Sequence, residues 1–134
     1  MSIREYSMTR DSTRRLSPSF RVREFTCKGS DVVLIDDELV VLLQCIREHF
    51  GKPVHITSGY RTAEHNAAVG GSKSSQHLLG RAADIQVSGA SPLLVGQIAE
   101  YYLGGHGGIG VYQTFTHVDT RTARARWDQR SGRE

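Results

Sequence analysis

Glycine and proline cut this chain into short pieces before any apolar segment can run long. Gly51 with Pro53, Gly70 with Gly71, Gly80, and Gly104 with Gly105 each close or bend a segment. Between these breaks, two periodicities alternate without a fixed order. Leu39, Leu42, Leu43, Ile46 and Phe50 recur at helical spacing behind Asp36, which predicts a capped helix to about His49. "SPLLVGQIAEYYL" opens with Ser91 as a cap and Pro92 at the first helical position, predicting a second helix that stops at Gly104. A brief helix is expected over "AEHNAAV" behind Thr62. "VHITS" (54–58), "AADIQV" (82–87), "GIGVY" (108–112) and "FTHVD" (115–119) read as strands, the last two forming a hairpin around Gln113 and Thr114. Helices and short strands in no regular βαβ order predict an α+β fold, a small and mainly antiparallel sheet flanked by helices.

The 134 residues suffice for one domain with its own core. The expected organisation is a flexible polar segment over 1–16, one domain over 17–127, and a disordered basic tail over 128–134. "FRVREFTCKGSD" (20–31) is expected to be a turn or short helix that docks Phe20, Val22 and Phe25 on the core. The net charge is only +3, with Arg10, Arg14 and Arg15 near one end and Arg121, Arg124, Arg126 and Arg130 near the other. An excess this small draws polyanions weakly, so nucleic acid is not expected as a partner. No apolar run is long enough to span a bilayer, so no membrane partner is expected either. "MSIREYSMTRDSTRR" has no apolar core of a signal peptide, and synthesis in the cytoplasm without one is the expectation. Cys27 and Cys45 lack any metal or redox spacing; they read as small buried hydrophobes, with a disulfide between them as the alternative.

Chemistry concentrates in three stretches. In "SSQHLLGRAADIQV", His77 and Asp84 stand seven apart. On one helix they would be about 10 Å apart, too far to share a metal ion. A loop bent at Gly80 and feeding a strand removes that objection. Asp84 then faces away from Ile85 and Val87. In "FTHVD" the period of two puts Phe115, His117 and Asp119 on one face. Two imidazoles and a carboxylate, with a fourth position left open, form the ligand set of a catalytic zinc site. Asp119 lies about 6.6 Å beyond His117 along the strand, too far for an obvious fourth ligand but near enough to act as a proton acceptor. Arg61 in "ITSGYRT" sits at a loop top, where a guanidinium either clamps a carboxylate, steadies an oxyanion or makes a plain salt bridge. Gly105, Gly107 and Gly110 in "GHGGIG" formally match a dinucleotide-binding pattern, but they follow a helix and open a strand, the reverse of what that motif requires. Close backbone approach near the site is the alternative use, and His106 within it is read as either exposed or substrate-contacting.

Taken together, "SGYRT…N…VGG…SxHxxGxAxD" and "GGIGVY…FTHVDTR" resemble the zinc D-Ala-D-Ala-type peptidases of the M15 family, in particular its short phage and bacterial branch that acts on peptidoglycan. "HVDT…W" is also similar to the YcbK-like murein endopeptidases of that family, and the similarity runs from about Leu16 to Trp127. The resemblance implies the fold shared by hedgehog domains and D,D-peptidases. It implies one zinc ion per chain held by His77, Asp84 and His117, with Arg61 on the substrate carbonyl or carboxylate and Ser75 lining the site. Many members carry an acidic base three residues before the last histidine, or a second histidine two before it; here those positions are Thr114 and Phe115. The base expected in their place is Asp119, with His106 as second choice and a substrate contact. The implied protein is a monomeric zinc metallopeptidase, a carboxypeptidase or endopeptidase of stem peptides, phage-encoded or otherwise released to reach the cell wall. A non-catalytic wall- or partner-binding module on the same fold is the alternative.

Overall fold

The structure, a computed structural model, describes residues 2–27 and 29–130. Its centre is a five-stranded sheet of β5 (Val54–Ser58), β6 (Ala82–Val87), β8 (Thr116–Asp119), β7 (Gly107–Val111) and β9 (Arg124–Asp128), in that spatial order. All neighbours are antiparallel except β7 and β9. Helices α2 (Asp37–Phe50) and α4 (Pro92–Leu103) pack on each other and on this sheet. The architecture is α+β with a mainly antiparallel sheet, as the sequence predicts.

Both long helices start as their side chains dictate. Asp36 accepts the Glu38 N–H, and Ser91 accepts the Leu94 N–H ahead of Pro92. The short α3 (Ala63–Ala68) is capped in the same way by Thr62. The apolar stripe of α2 buries Leu39, Leu42, Leu43 and Ile46 against Ile85, Val95, Ala99 and Val118.

Strand alternation divides the sheet into two chemical faces. Ala83, Ile85, Val118 and Ile109 belong to the core. Their neighbours Asp84, His117 and Gly110 point the other way and lie in register across β6, β8 and β7. Ser58 on β5 and Trp127 on β9 complete that row. Thus one cross-strand row spans all five strands on the face opposite the helices.

Several elements are not legible in the sequence. The 1–16 stretch, expected to be flexible, holds β1 (Ile3–Ser7) and the one-turn α1 (Met8–Asp11). β1 pairs with β4 (Val32–Asp36) and buries Tyr6. Only that one residue of β1 is buried, so the strand shows no hydrophobic period. β9 is hidden for the same reason, as "RARWD" carries no buried residue. A small ribbon of β2 (Arg15–Ser17) and β3 (Phe20–Arg21) leads into a 3-10 turn over Val22–Phe25, which docks Phe20, Val22 and Phe25 as expected. The basic tail expected over 128–134 begins inside β9, and its last four residues lie outside the described ones. Cys27 and Cys45 do not form a disulfide.

The bend before β6 rests on Gly80, whose φ of 72° favours glycine. A Cβ there would also strike the Leu34 backbone of β4. Gly80→Ala should therefore cost about 2–3 kcal/mol, read as a lower urea midpoint at unchanged m-value.

Candidate metal centre

His77 sits on a 3-10 turn, Gln76–Leu79, which follows directly from local chemistry. Ser75 Oγ accepts the His77 N–H at 3.2 Å, and Gly80 ends the turn in the left-handed region. The imidazole Nδ1 lies 2.7 Å from the Gly59 carbonyl oxygen. A carbonyl oxygen only accepts, so Nδ1 carries the proton. The other nitrogen, Nε2, faces Asp84 Oδ1 at 3.3 Å.

His117 on β8 reaches the same oxygen, with Nδ1 3.0 Å from Asp84 Oδ1. Its Nε2 lies 2.7 Å from Asp119 Oδ2. Both imidazoles thus aim one nitrogen at Asp84 and anchor the other, His77 on a carbonyl and His117 on a carboxylate. One ligand atom from each of His77, Asp84 and His117 falls within 4.8 Å of the others, a group that could hold a metal ion. All three are buried, with Asp84 only 6% exposed. Two neutral imidazoles and one carboxylate match the borderline-soft donor set that zinc prefers. The second nitrogen of each histidine has the outer partner that ligating histidines require. The residues fit the ion.

The electrostatics centre on carboxylates. Burial would raise the Asp84 carboxyl, but His117 and His77, which donate to it when their imidazoles are protonated, outweigh it and hold the group down at about 2. Burial disfavours charge on His117 as well. Its hydrogen bonds to Asp119 and Asp84 prevail, and the imidazole titrates above its ordinary range.

Asp119 lies on the same face as His117, as the strand period predicts, and is 0% exposed. Its Oδ1 accepts from the Gly108 N–H at 2.9 Å. The Arg121 guanidinium grips both oxygens, at 2.9 Å from Nε to Oδ1 and 2.7 Å from Nη2 to Oδ2. Burial opposes charge here too, yet His117 and Arg121 hold the carboxyl well below the usual range. The sequence predicts Asp119 as proton acceptor. The structure places it behind His117, with both oxygens engaged.

Arg61 joins the cluster, its Nη2 3.6 Å from Asp84 Oδ2. Its backbone N–H donates to the His77 carbonyl at 3.0 Å, so the loops of Arg61 and His77 hold each other reciprocally. Ser75 serves the turn that carries His77. His106 is exposed and lines a different hollow, with Glu38, Cys45, Tyr102 and Thr120.

Three features escaped sequence reasoning. Arg121 grips Asp119 from the β8–β9 connection two residues on, which no strand period encodes. Trp127 lies with its ring centroid 5.1 Å from that of His117, and its N–H donates to Tyr112 Oη at 2.8 Å. Asn66 accepts from Arg61 Nη1 at 3.2 Å. All three belong to the motifs of the sequence, as the R of "FTHVDTR", the W of "HVDT…W" and the N of "SGYRT…N", but nothing there assigns them a role.

The fold and the buried donor triad define the chain as an α+β domain with a metalloenzyme-type site. The Peptidase M15 family model matches residues 18–119, and the chain belongs to that metallopeptidase family. No curated protein matches it.

Two outcomes follow. A ligand histidine must be neutral, and His117 favours its proton in the metal-free protein. Zinc affinity should therefore climb with pH through and above the ordinary imidazole range near ~6.5, with proton release. Calorimetry in buffers of different ionisation enthalpy measures both. Asp119→Asn should weaken zinc binding about tenfold or more, since the amide anchors the His117 N–H less firmly.

Proposed function

We propose that this protein is a zinc-dependent peptidase that hydrolyses peptide bonds in peptidoglycan stem peptides or cross-links. One observation carries the metal part of the reading: His77 and His117 converge on Asp84 with their second nitrogens already fixed. Such preorganisation is what a catalytic ion needs and what a chance histidine cluster lacks. Family membership supports the peptidase part. The choice of peptidoglycan rests on the resemblance of "SGYRT", "SSQHLLGRAAD" and "FTHVDTR" to wall-acting members. Release from the cell that made it, or encoding by a phage, belongs to the same reading.

When bound to His77, Asp84 and His117, zinc supplies Lewis acidity for polarising a peptide carbonyl and activating water. The chain supplies the rest. His77 keeps its proton on Nδ1 through Gly59, which leaves Nε2 free to coordinate. Asp119 does the same for His117 from the other side, leaving Nδ1. Arg61, 15% exposed at its side chain, offers a fixed cation to an oxyanion or substrate carboxylate at the edge of the cluster. Burial of the cluster keeps bulk water from screening these charges.

A second reading has one observation in its favour. Asp84 and Asp119 are both engaged, and the positions of the family's usual base are Thr114 and Phe115. A domain of this kind would bind wall peptides without cutting them.

The purified protein should hold about one zinc per chain and release new amines from purified peptidoglycan, with both lost in His77→Ala. Mass spectrometry of the digest names the bond cut. Wall binding with no new amine at full zinc loading would establish the non-catalytic reading. Asp119→Asn at equal zinc occupancy separates its roles. Recovery of most turnover marks an orienting carboxylate, whereas a loss of about a hundredfold or more marks the base.

A further inference from the structure

Arg61 is fixed by groups outside the metal cluster. Its Nε donates to Ser58 Oγ at 3.2 Å and its Nη1 to Asn66 Oδ1 at 3.2 Å. Those two bonds leave Nη2 as the nitrogen turned toward Asp84. Ser58 is itself in the cross-strand row with Asp84, so one restraint comes from the sheet. The other comes from Asn66 on α3.

Asn66 is 4% exposed, and its amide is used in both directions. While Oδ1 takes Arg61, Nδ2 donates to the Ser72 carbonyl at 2.8 Å. Its backbone carbonyl accepts the Gly71 N–H at 2.8 Å. Gly71 passes so close that a Cβ there would collide with the Asn66 amide and stand 3.1 Å from Arg61 Nη1. One buried amide thus bridges the guanidinium and the loop that leads to His77.

We propose that Asn66 is a positioning residue, which sets the Arg61 guanidinium against the metal cluster and couples it to the 71–75 loop. What Arg61 does for a substrate rests on the peptidase reading above; how Arg61 is held does not. An unrestrained arginine has several rotatable bonds to order before it meets a developing charge, and a fixed one has none. Asparagine suits the position because it both accepts from the guanidinium and donates to a carbonyl. Alanine does neither, and aspartate keeps only the acceptor.

The test compares Asn66→Ala and Asn66→Asp with the parent, all loaded with zinc to equal occupancy. The first readout is solvent exchange of the Arg61 Nη1–H group, which Asn66 accepts, by nitrogen-15 NMR, assigned through Arg61→Lys. Exchange should quicken tenfold or more in Asn66→Ala and stay slow in Asn66→Asp. The second is peptidoglycan hydrolysis in a double-mutant cycle. Asn66→Ala should lower kcat/KM about tenfold in the parent and less than twofold in Arg61→Lys. Unchanged exchange in Asn66→Ala, equal quickening in both variants, or additive losses in the cycle would overturn the proposal and leave Asn66 a loop anchor. A parent that cuts no peptidoglycan defeats the peptidoglycan-hydrolase reading, and the exchange measurement still decides the role of Asn66.

Discussion

The site is organised around one buried carboxylate. Asp84 stands in the middle strands of the sheet, almost out of contact with water, and stays ionised. A charge in that place is costly unless it is paired and hydrogen-bonded. Three groups answer it from three directions. His77 and His117 share Oδ1, and Arg61 stands over Oδ2. The same convergence that compensates the charge brings two coordinating nitrogens to one carboxylate. A divalent cation between them would replace part of that compensation with a stronger one, so folding and metal binding ask for the same arrangement.

Space for these side chains comes from the absence of others. Gly108 and Gly110 on β7 pair with Asp119 and His117 on β8. A Cβ on Gly108 would meet the Asp119 carboxylate, and one on Gly110 would enter the Trp127 indole. Gly108 and Gly110 of "GHGGIG" therefore clear the site face of the sheet, letting a carboxylate and an aromatic ring lie over the backbone. Ile109 and Val111, between and beyond them, go to the buried helix side. The pattern that imitated a nucleotide motif is a strand with one face emptied for its neighbours.

What the sequence discloses and withholds follows the same line between local and distant causes. Helix caps, the Gly80 bend and the period of "FTHVD" are encoded within a few residues, and the elements carrying His77, Asp84 and His117 were legible from them. β1 and β9 were not, because an edge strand with mostly exposed side chains has no hydrophobic period. The partners of Asp119 needed more than a period. Its place beside His117 is local, but Gly108 and Arg121 are brought to it by strand register and the β8–β9 connection. Asn66 and Trp127 stand only five and ten residues from Arg61 and His117. They reach the site, however, from a short helix and an edge strand whose side-chain directions no hydrophobic period marks.

The two halves of the site differ in how they are built. Asp84 and His117 belong to adjacent central strands, whose ladder fixes their separation. His77 and Arg61 come from loops, and their place depends on two crossed hydrogen bonds, His77 Nδ1–H to the Gly59 carbonyl and Arg61 N–H to the His77 carbonyl, and on Asn66. Loop-borne groups are the ones a different substrate reshapes, while strand-borne groups keep their geometry. The strand-borne side of the site is thus rigid by secondary structure, and the Arg61 cation is rigid only by its anchors. The placement of Arg61 then falls to the 58–61 and 71–77 stretches, where single side chains decide it.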